Sequence, residues 1–130
     1  MIGIDTNILL RALLLDDDPA QSARARAAIE ANAPVLLNDV VLVEFVWTCR
    51  RAFKLERADI YRRLDAIVKA PEFIFAQPTA VARAVAGYGS RGSDFADWLI
   101  AETNREHSCD TTLTFDRNAA KSPAFTLAPI

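Results

Sequence analysis

The sequence predicts an α/β fold in one domain spanning residues 1–130, and three observations predict it. Twenty-three alanines against four glycines favour helix. Short apolar runs rich in β-branched residues, such as Val35–Leu37, have the length of inner strands rather than of helix faces. These runs alternate with helical segments, an order that forces parallel pairing through crossover helices and gathers ligands at the carboxyl ends of the strands.

Taken in order, Met1–Asp5 begins as a strand, and Asp5 or Thr6 caps a helix running through Leu15 into the acidic turn Asp16–Pro19. Ala20–Ala33 reads as a second helix, which Pro34 breaks, and Val35–Leu37 as the next strand. Asn38 or Asp39 caps a long helix through about Phe53. The spacing of Ile60, Leu64, Ile67 and Val68 marks the apolar face of another, so the two form a helical hairpin. Phe73–Phe75 reads as a short edge strand, and Pro78 opens a helix over Thr79–Ala86. Gly87, Gly89 and Gly92 fall together in GYGSRGS, which reads as a flexible connector. Ser93 then caps a helix from Asp94 to about Glu106. Thr111–Thr114 and Ala124–Ala128 supply two late strands around a polar segment holding Asp116 and Pro123.

Composition excludes several classes. With 130 residues, 52% hydrophobic and 25% charged, the chain suits one soluble domain with a real core, not a disordered or fibrous segment. Fifteen basic residues against seventeen acidic ones leave a net charge of −2, so any contact with nucleic acid must be local. Cys49 and Cys109 form no CxxC spacing, which points away from zinc and disulfides and towards a reducing cytoplasm. The apolar stretch Ile8–Leu15 contains Arg11 and runs into three aspartates, so it is expected to be neither signal peptide nor membrane span.

The chemistry lies in the acids. Asp5 ends the first strand, at the edge where such sheets bind ligands, although a helix cap is its plainer role. Glu44 is the single charge in VVLVEFVW; it is expected to be substantially buried and to need a metal or an arginine. Asp94 and Asp97 share one face at a helix start. Asp94 suits a complement to the helix dipole, whereas Asp97, inside FADWLIA, needs another reason to be there. Asp116 follows Thr-Leu-Thr-Phe at a strand end, where taken alone a turn-forming Asp is the simpler account.

Together, four carboxylates able to converge on one sheet edge would repel strongly. Oxygen-only donors suit Mg²⁺, with Mn²⁺ as a substitute, over zinc or copper. The lone histidine, His107, reads as a surface residue, and no Ser-His or Cys-His spacing is present. Phosphodiester chemistry would then rest on a cation that activates water and stabilises developing charge, as in a metal-dependent nuclease. Thr6, Asn7 and Thr114 accompany the acids and could orient water or phosphate, with capping and strand propensity as their plainer roles. Arg50, Arg51, Lys54, Arg57, Arg62 and Arg63, within fourteen residues, could track a phosphate backbone or simply form a solvated helical face.

In order and spacing, MIGIDTNILL, the lone Glu44 in an apolar helix, SDFADWLIA and TLTFDRN resemble a PIN domain, and more narrowly a VapC-type toxin ribonuclease of a type II toxin-antitoxin system. The resemblance covers nearly the whole chain. It implies a three-layer α/β/α domain with a mostly parallel central sheet of four to five strands. By that resemblance Asp5, Glu44, Asp97 and Asp116 correspond to an acidic quartet that holds one or two divalent ions for endoribonucleolytic cleavage, Asp5 and Asp97 being the main ligands. Thr6, Asn7 and Thr114 match supporting polar positions, and Asp94 a frequently acidic one. An RNA substrate, a homodimer and a VapB-like antitoxin that covers the acidic site are also implied. After TFDRN the chain continues AAKSPAF, where many relatives carry an aromatic, which bears on packing beneath Asp116 rather than on ligation.

Two rivals compete. A phospho-acceptor receiver domain expects an acidic pair after the first strand and a lysine on a late strand, but here Thr6 and Asn7 follow Asp5 and Lys121 lies in a polar segment. A non-catalytic PIN-like RNA- or protein-binding module would keep the scaffold while its acids meet partner arginines; the completeness of the quartet argues against it.

Overall fold

A computed structural model describes residues 1–90 and 92–129. The elements run β1 (Ile2–Gly3), α1 (Thr6–Leu13), α2 (Pro19–Asn32), β2 (Val35–Leu37), α3 (Asp39–Arg51), α4 (Arg57–Lys69), β3 (Phe73–Phe75), α5 (Pro78–Ser90), α6 (Phe95–Glu106), β4 (Thr112–Thr114) and β5 (Phe125–Leu127), with a 3₁₀ turn at Ala119–Lys121 before the last strand. The α/β class and the parallel strands are as the sequence predicts. β1, β2 and β3 pair in that order with Val35 opposite both Ile2 and Phe73, and β4 pairs with β5, Thr112 opposite Phe125.

The five strands do not form the single sheet expected. They divide into three and two, and among the described residues no ladder joins β1 to β4. Each segment is short, β1 only two residues, so side-chain packing rather than strand pairing holds most of the fold together.

Sequence dictates where the helices start. The Asp5 carboxylate accepts from the Ile8 amide at α1, Asp18 from Gln21 at α2 and Asn38 from Val40 at α3, each satisfying an amide that the first turn leaves without a partner. α3 turns Val41, Leu42, Phe45, Val46 and Cys49 inward, α4 contributes Ile60, Leu64 and Ile67, and the strand residues Val35 and Leu37 are fully covered between them. Fully burying one such side chain stabilises by about 1.5–3 kcal/mol.

Two expectations fail between α5 and α6. The glycines of GYGSRGS do not all mark a connector, because α5 continues through Gly87 and Gly89 to Ser90; Arg91, in the same motif, lies outside the described residues. These glycines serve close packing instead. A Cβ on Gly87 would stand 2.5 Å from the Trp98 ring, and one on Gly89 would collide with the Tyr61 ring, so α6 and α4 approach α5 over bare backbone. The cap of α6 is Asp94, whose side chain accepts from the Phe95 amide at 2.8 Å, and not Ser93, which is buried. Of the three glycines in the motif, Gly92 has a positive φ, +91°, which glycine adopts without steric cost. An edge-to-face contact between Tyr88 and Phe95, with centroids 6.0 Å apart, packs the end of α5 on the start of α6.

Candidate active site

The structure draws the predicted acids into two groups. The first lies where α1 meets α3. Asp5 is exposed and caps α1, and the next residue, Thr6, donates from Oγ1 to Glu44 Oε1 at 2.7 Å across thirty-eight positions of sequence. Glu44 is exposed, contrary to expectation. It shares a helical face with Val40 and Trp47 as the spacing predicts, but that face is open, since the inward row of α3 is already filled by Val41, Phe45 and their neighbours. Its partner is a hydroxyl rather than an arginine, and the cost of an unpaired buried carboxylate does not arise. Asn7 is exposed beside them.

The second group joins the start of α6 to the end of β4. Asp94 caps α6 and also pairs with Arg50 of α3 at 2.8 Å, which makes it a structural acid. Asp97, half-buried one turn in, has its carboxyl pushed above the usual carboxylate range. Burial is the main cause, then the negative charges of Asp94 and Asp116, while a hydrogen bond with the Asp94 backbone works in the opposite direction. Asp116 Oδ1 accepts from the amides of Asn118 at 2.8 Å and Ala119 at 3.3 Å, the turn anticipated for it. Thr114 Oγ1 accepts from the Asp116 amide at 3.0 Å and so orients this loop. His107 is exposed, as expected.

Sequence reasoning weighed Asp39 only as a cap, and the structure gives it more. It opens α3, and its Oδ1 is buried without a hydrogen-bond partner among the described residues. Burial raises its carboxyl, and it lines a cavity of about 610 Å³ between α3 and α6 with Val40, Glu44, Trp47 and Ile100. The only sequence signal was an acid beside the Asn38 cap. The arginine cluster is less free than a phosphate track requires: Arg50 holds Asp94, Arg51 lies over Trp47, Arg57 binds backbone carbonyls, and Arg62 and Arg63 both meet Asp59.

The donor set fits a divalent cation in chemistry, because it is oxygen-only and the charges around Asp97 are those a hard cation would neutralise. Among the described residues, however, no three His, Cys, Asp or Glu side chains are grouped closely enough to hold an ion. Asp5 follows β1 and Asp116 follows β4, strands that belong to separate ladders among the described residues. Among the same residues no helix is long and apolar enough to cross a membrane. Compared with known proteins, residues 2–124 match the model of the PIN domain. No curated protein matches the chain.

Proposed function

Because the chain belongs to the PIN domain family, generally a nuclease fold that uses divalent metal ions, we propose that it is a Mg²⁺-dependent endoribonuclease acting as a VapC-type toxin in the cytoplasm. The observation that carries this reading is the match of residues 2–124 to the PIN domain, with Asp97 of α6 and Asp116 after β4 near enough for their charges to interact. The Asp97 carboxyl, raised by burial and then by the neighbouring Asp94 and Asp116, is better suited to function than to stability. Thr6 and Glu44 lend support by tying the start of α1, where Asp5 sits, to α3.

Asp5, Glu44, Asp97 and Asp116 would hold the ion, with Mn²⁺ as a substitute. When bound, such an ion activates water and offsets the charge that develops on a phosphodiester during cleavage. The chain's own side chains do the rest. Thr6 fixes one Glu44 oxygen by donating to it, which leaves the other open. Asp94 holds the first turn of α6 through its cap and through Arg50. Asn118 and Ala119 amides keep one Asp116 oxygen turned into the loop. The motif resemblance further supports a homodimer restrained by a VapB-like antitoxin.

The test is cleavage of a mixed cellular RNA pool with Mg²⁺ or Mn²⁺ against EDTA, with Asp5→Asn purified identically. Discrete metal-dependent ends absent from the variant are expected, and sequencing them would identify the target. RNA binding without cleavage by folded, antitoxin-free protein would transfer the assignment to a non-catalytic binding module.

A further inference from the structure

Arg57 opens α4 and is engaged through all three of its guanidinium nitrogens. Its Nε donates to the Tyr88 carbonyl at 2.8 Å, one terminal nitrogen to Gly92 at 3.1 Å and the other to Ser93 at 2.7 Å. Its guanidinium also lies over the Tyr88 ring, 4.0 Å from the centroid. The planar fork therefore grips the end of α5 and the two residues that precede the α6 cap. Few single side chains could do this, because the three acceptors are main-chain carbonyls spread over six residues.

The gripped segment leads directly into Asp94 and, three residues later, Asp97. Backbone position at Ser93 sets where α6 begins, and the rigid helix carries that position to Asp97. Arg50 adds a second hold on the same turn through Asp94. Neither arginine touches the other acids by any hydrogen bond or ion pair in the described structure, so the effect of Arg57 on the site is indirect.

We propose that Arg57 is a positioning residue which, by binding the carbonyls of Tyr88, Gly92 and Ser93, fixes the start of α6 and hence the place of Asp97. The proposal rests on the nuclease reading for its functional meaning. A lysine at this position keeps the charge but offers no planar fork, so Arg57→Lys cannot reproduce all three bonds together with the stacking on Tyr88.

The experiment compares wild type, Arg57→Lys and Arg57→Ala in three ways: amide hydrogen exchange by mass spectrometry on peptides covering residues 92–99, Mn²⁺ titration followed by electron paramagnetic resonance, and steady-state RNA cleavage. Arg57→Lys is the deciding variant, since it is the better placed to fold; a thermal melt confirms that it does. The expected result is faster exchange confined to the start of α6, Mn²⁺ affinity weakened by about tenfold, and kcat reduced with KM within about twofold, with Arg57→Ala affected more. Wild-type exchange over residues 92–99 in Arg57→Lys would overturn the proposal. So would faster exchange with unchanged Mn²⁺ affinity, which would make Arg57 a fastener and nothing more. If wild type itself neither binds Mn²⁺ nor cleaves RNA, the nuclease reading falls separately, and the exchange arm still decides whether Arg57 holds the start of α6.

Discussion

Substituting Gly87 by alanine separates three accounts of the α5–α6 junction by sign. In a flexible connector the change would be close to neutral. In an uncrowded helix it would stabilise by about 1 kcal/mol, the difference in helix propensity. In the structure Gly87 is helical, and an added Cβ would lie 2.5 Å from Trp98 Cε3. Carbon atoms pack at about 3.5–4 Å, so the ring or the helix must yield by about 1 Å. Overpacking of that kind costs about 1–3 kcal/mol, and subtracting the propensity gain leaves a net loss of about 1 kcal/mol. For a chain of this length that lowers Tm by roughly 3–6 °C. Because Trp98 directly follows Asp97, nuclease activity is expected to fall by more than the lost stability explains at assay temperature. Thermal and urea melts of metal-free protein, read by circular dichroism, measure the first quantity, and cleavage of the mapped RNA target measures the second. A raised Tm would refute the close approach of α5 and α6 and, with it, the reason given for glycine at this position.

Asp97→Asn is expected to abolish metal-dependent cleavage while making the metal-free fold more stable. The sign follows from the raised carboxyl: its folded pKa exceeds its unfolded one, so folding binds protons in that window and stability falls as pH rises through it. The gap between variant and wild type in urea melts therefore widens from acid towards neutral pH and closes below the ordinary aspartate range; a constant gap would remove the electrostatic cause. Thr6→Val deletes the bond to Glu44 at a cost of about 0.5–1.5 kcal/mol and should lower activity, whereas Thr6→Ser should retain it; equal activities in cleavage assays would show that the hydroxyl does not matter to the site. Cys49 is buried, with its thiol pushed up to about 11, first by desolvation, then lowered by Arg63 and raised by Asp59, while Cys109 is exposed. One equivalent of iodoacetamide should label Cys109 alone, found by peptide mapping, and label at Cys49 in native protein would contradict the packing of α3 on α4.

What the sequence made legible was pattern, and what it hid was contact. Helical spacing marked Ile60, Leu64 and Ile67 as a buried row, and Pro34 and Pro78 bounded elements where proline geometry requires. The acids at strand ends and helix starts stood out because charge there is conspicuous. Burial of Glu44 was misjudged for a physical reason: an apolar run on a helix cannot reveal which of its faces meets another element, and Val40 and Trp47 proved exposed with it. Glycine gave the opposite error. The same missing Cβ that frees a loop also lets two helices touch, and only the positions of Trp98 and Tyr61 in space distinguish the cases. The grip of Arg57 was illegible because its acceptors are main-chain carbonyls, which carry no signature in side-chain order.

The separation of the acids into two groups leads to a prediction about their cooperation. If one ion is held jointly by Asp5 from the end of β1 and Asp97 from α6, neither group suffices alone, and the loss of either carboxylate removes nearly all of the binding energy. A ligand at about a hundredfold excess over its Kd stabilises the folded state by about 2.7 kcal/mol. Wild type in saturating Mn²⁺ should therefore melt higher than in EDTA by roughly 8–16 °C. Asp5→Asn and Asp97→Asn should each lose most of that increment, and the double variant should lose no more than either single one. Such a cycle is strongly non-additive, as expected for groups sharing one partner. If instead each single variant kept about half of the increment and the double variant kept none, the two acid groups would be binding separate ions, and the joint site would be excluded. Asp5 follows β1 and Asp97 lies in α6, so joint binding would tie the two elements together, and the Mn²⁺ increment should be accompanied by slower amide exchange at the start of both α1 and α6.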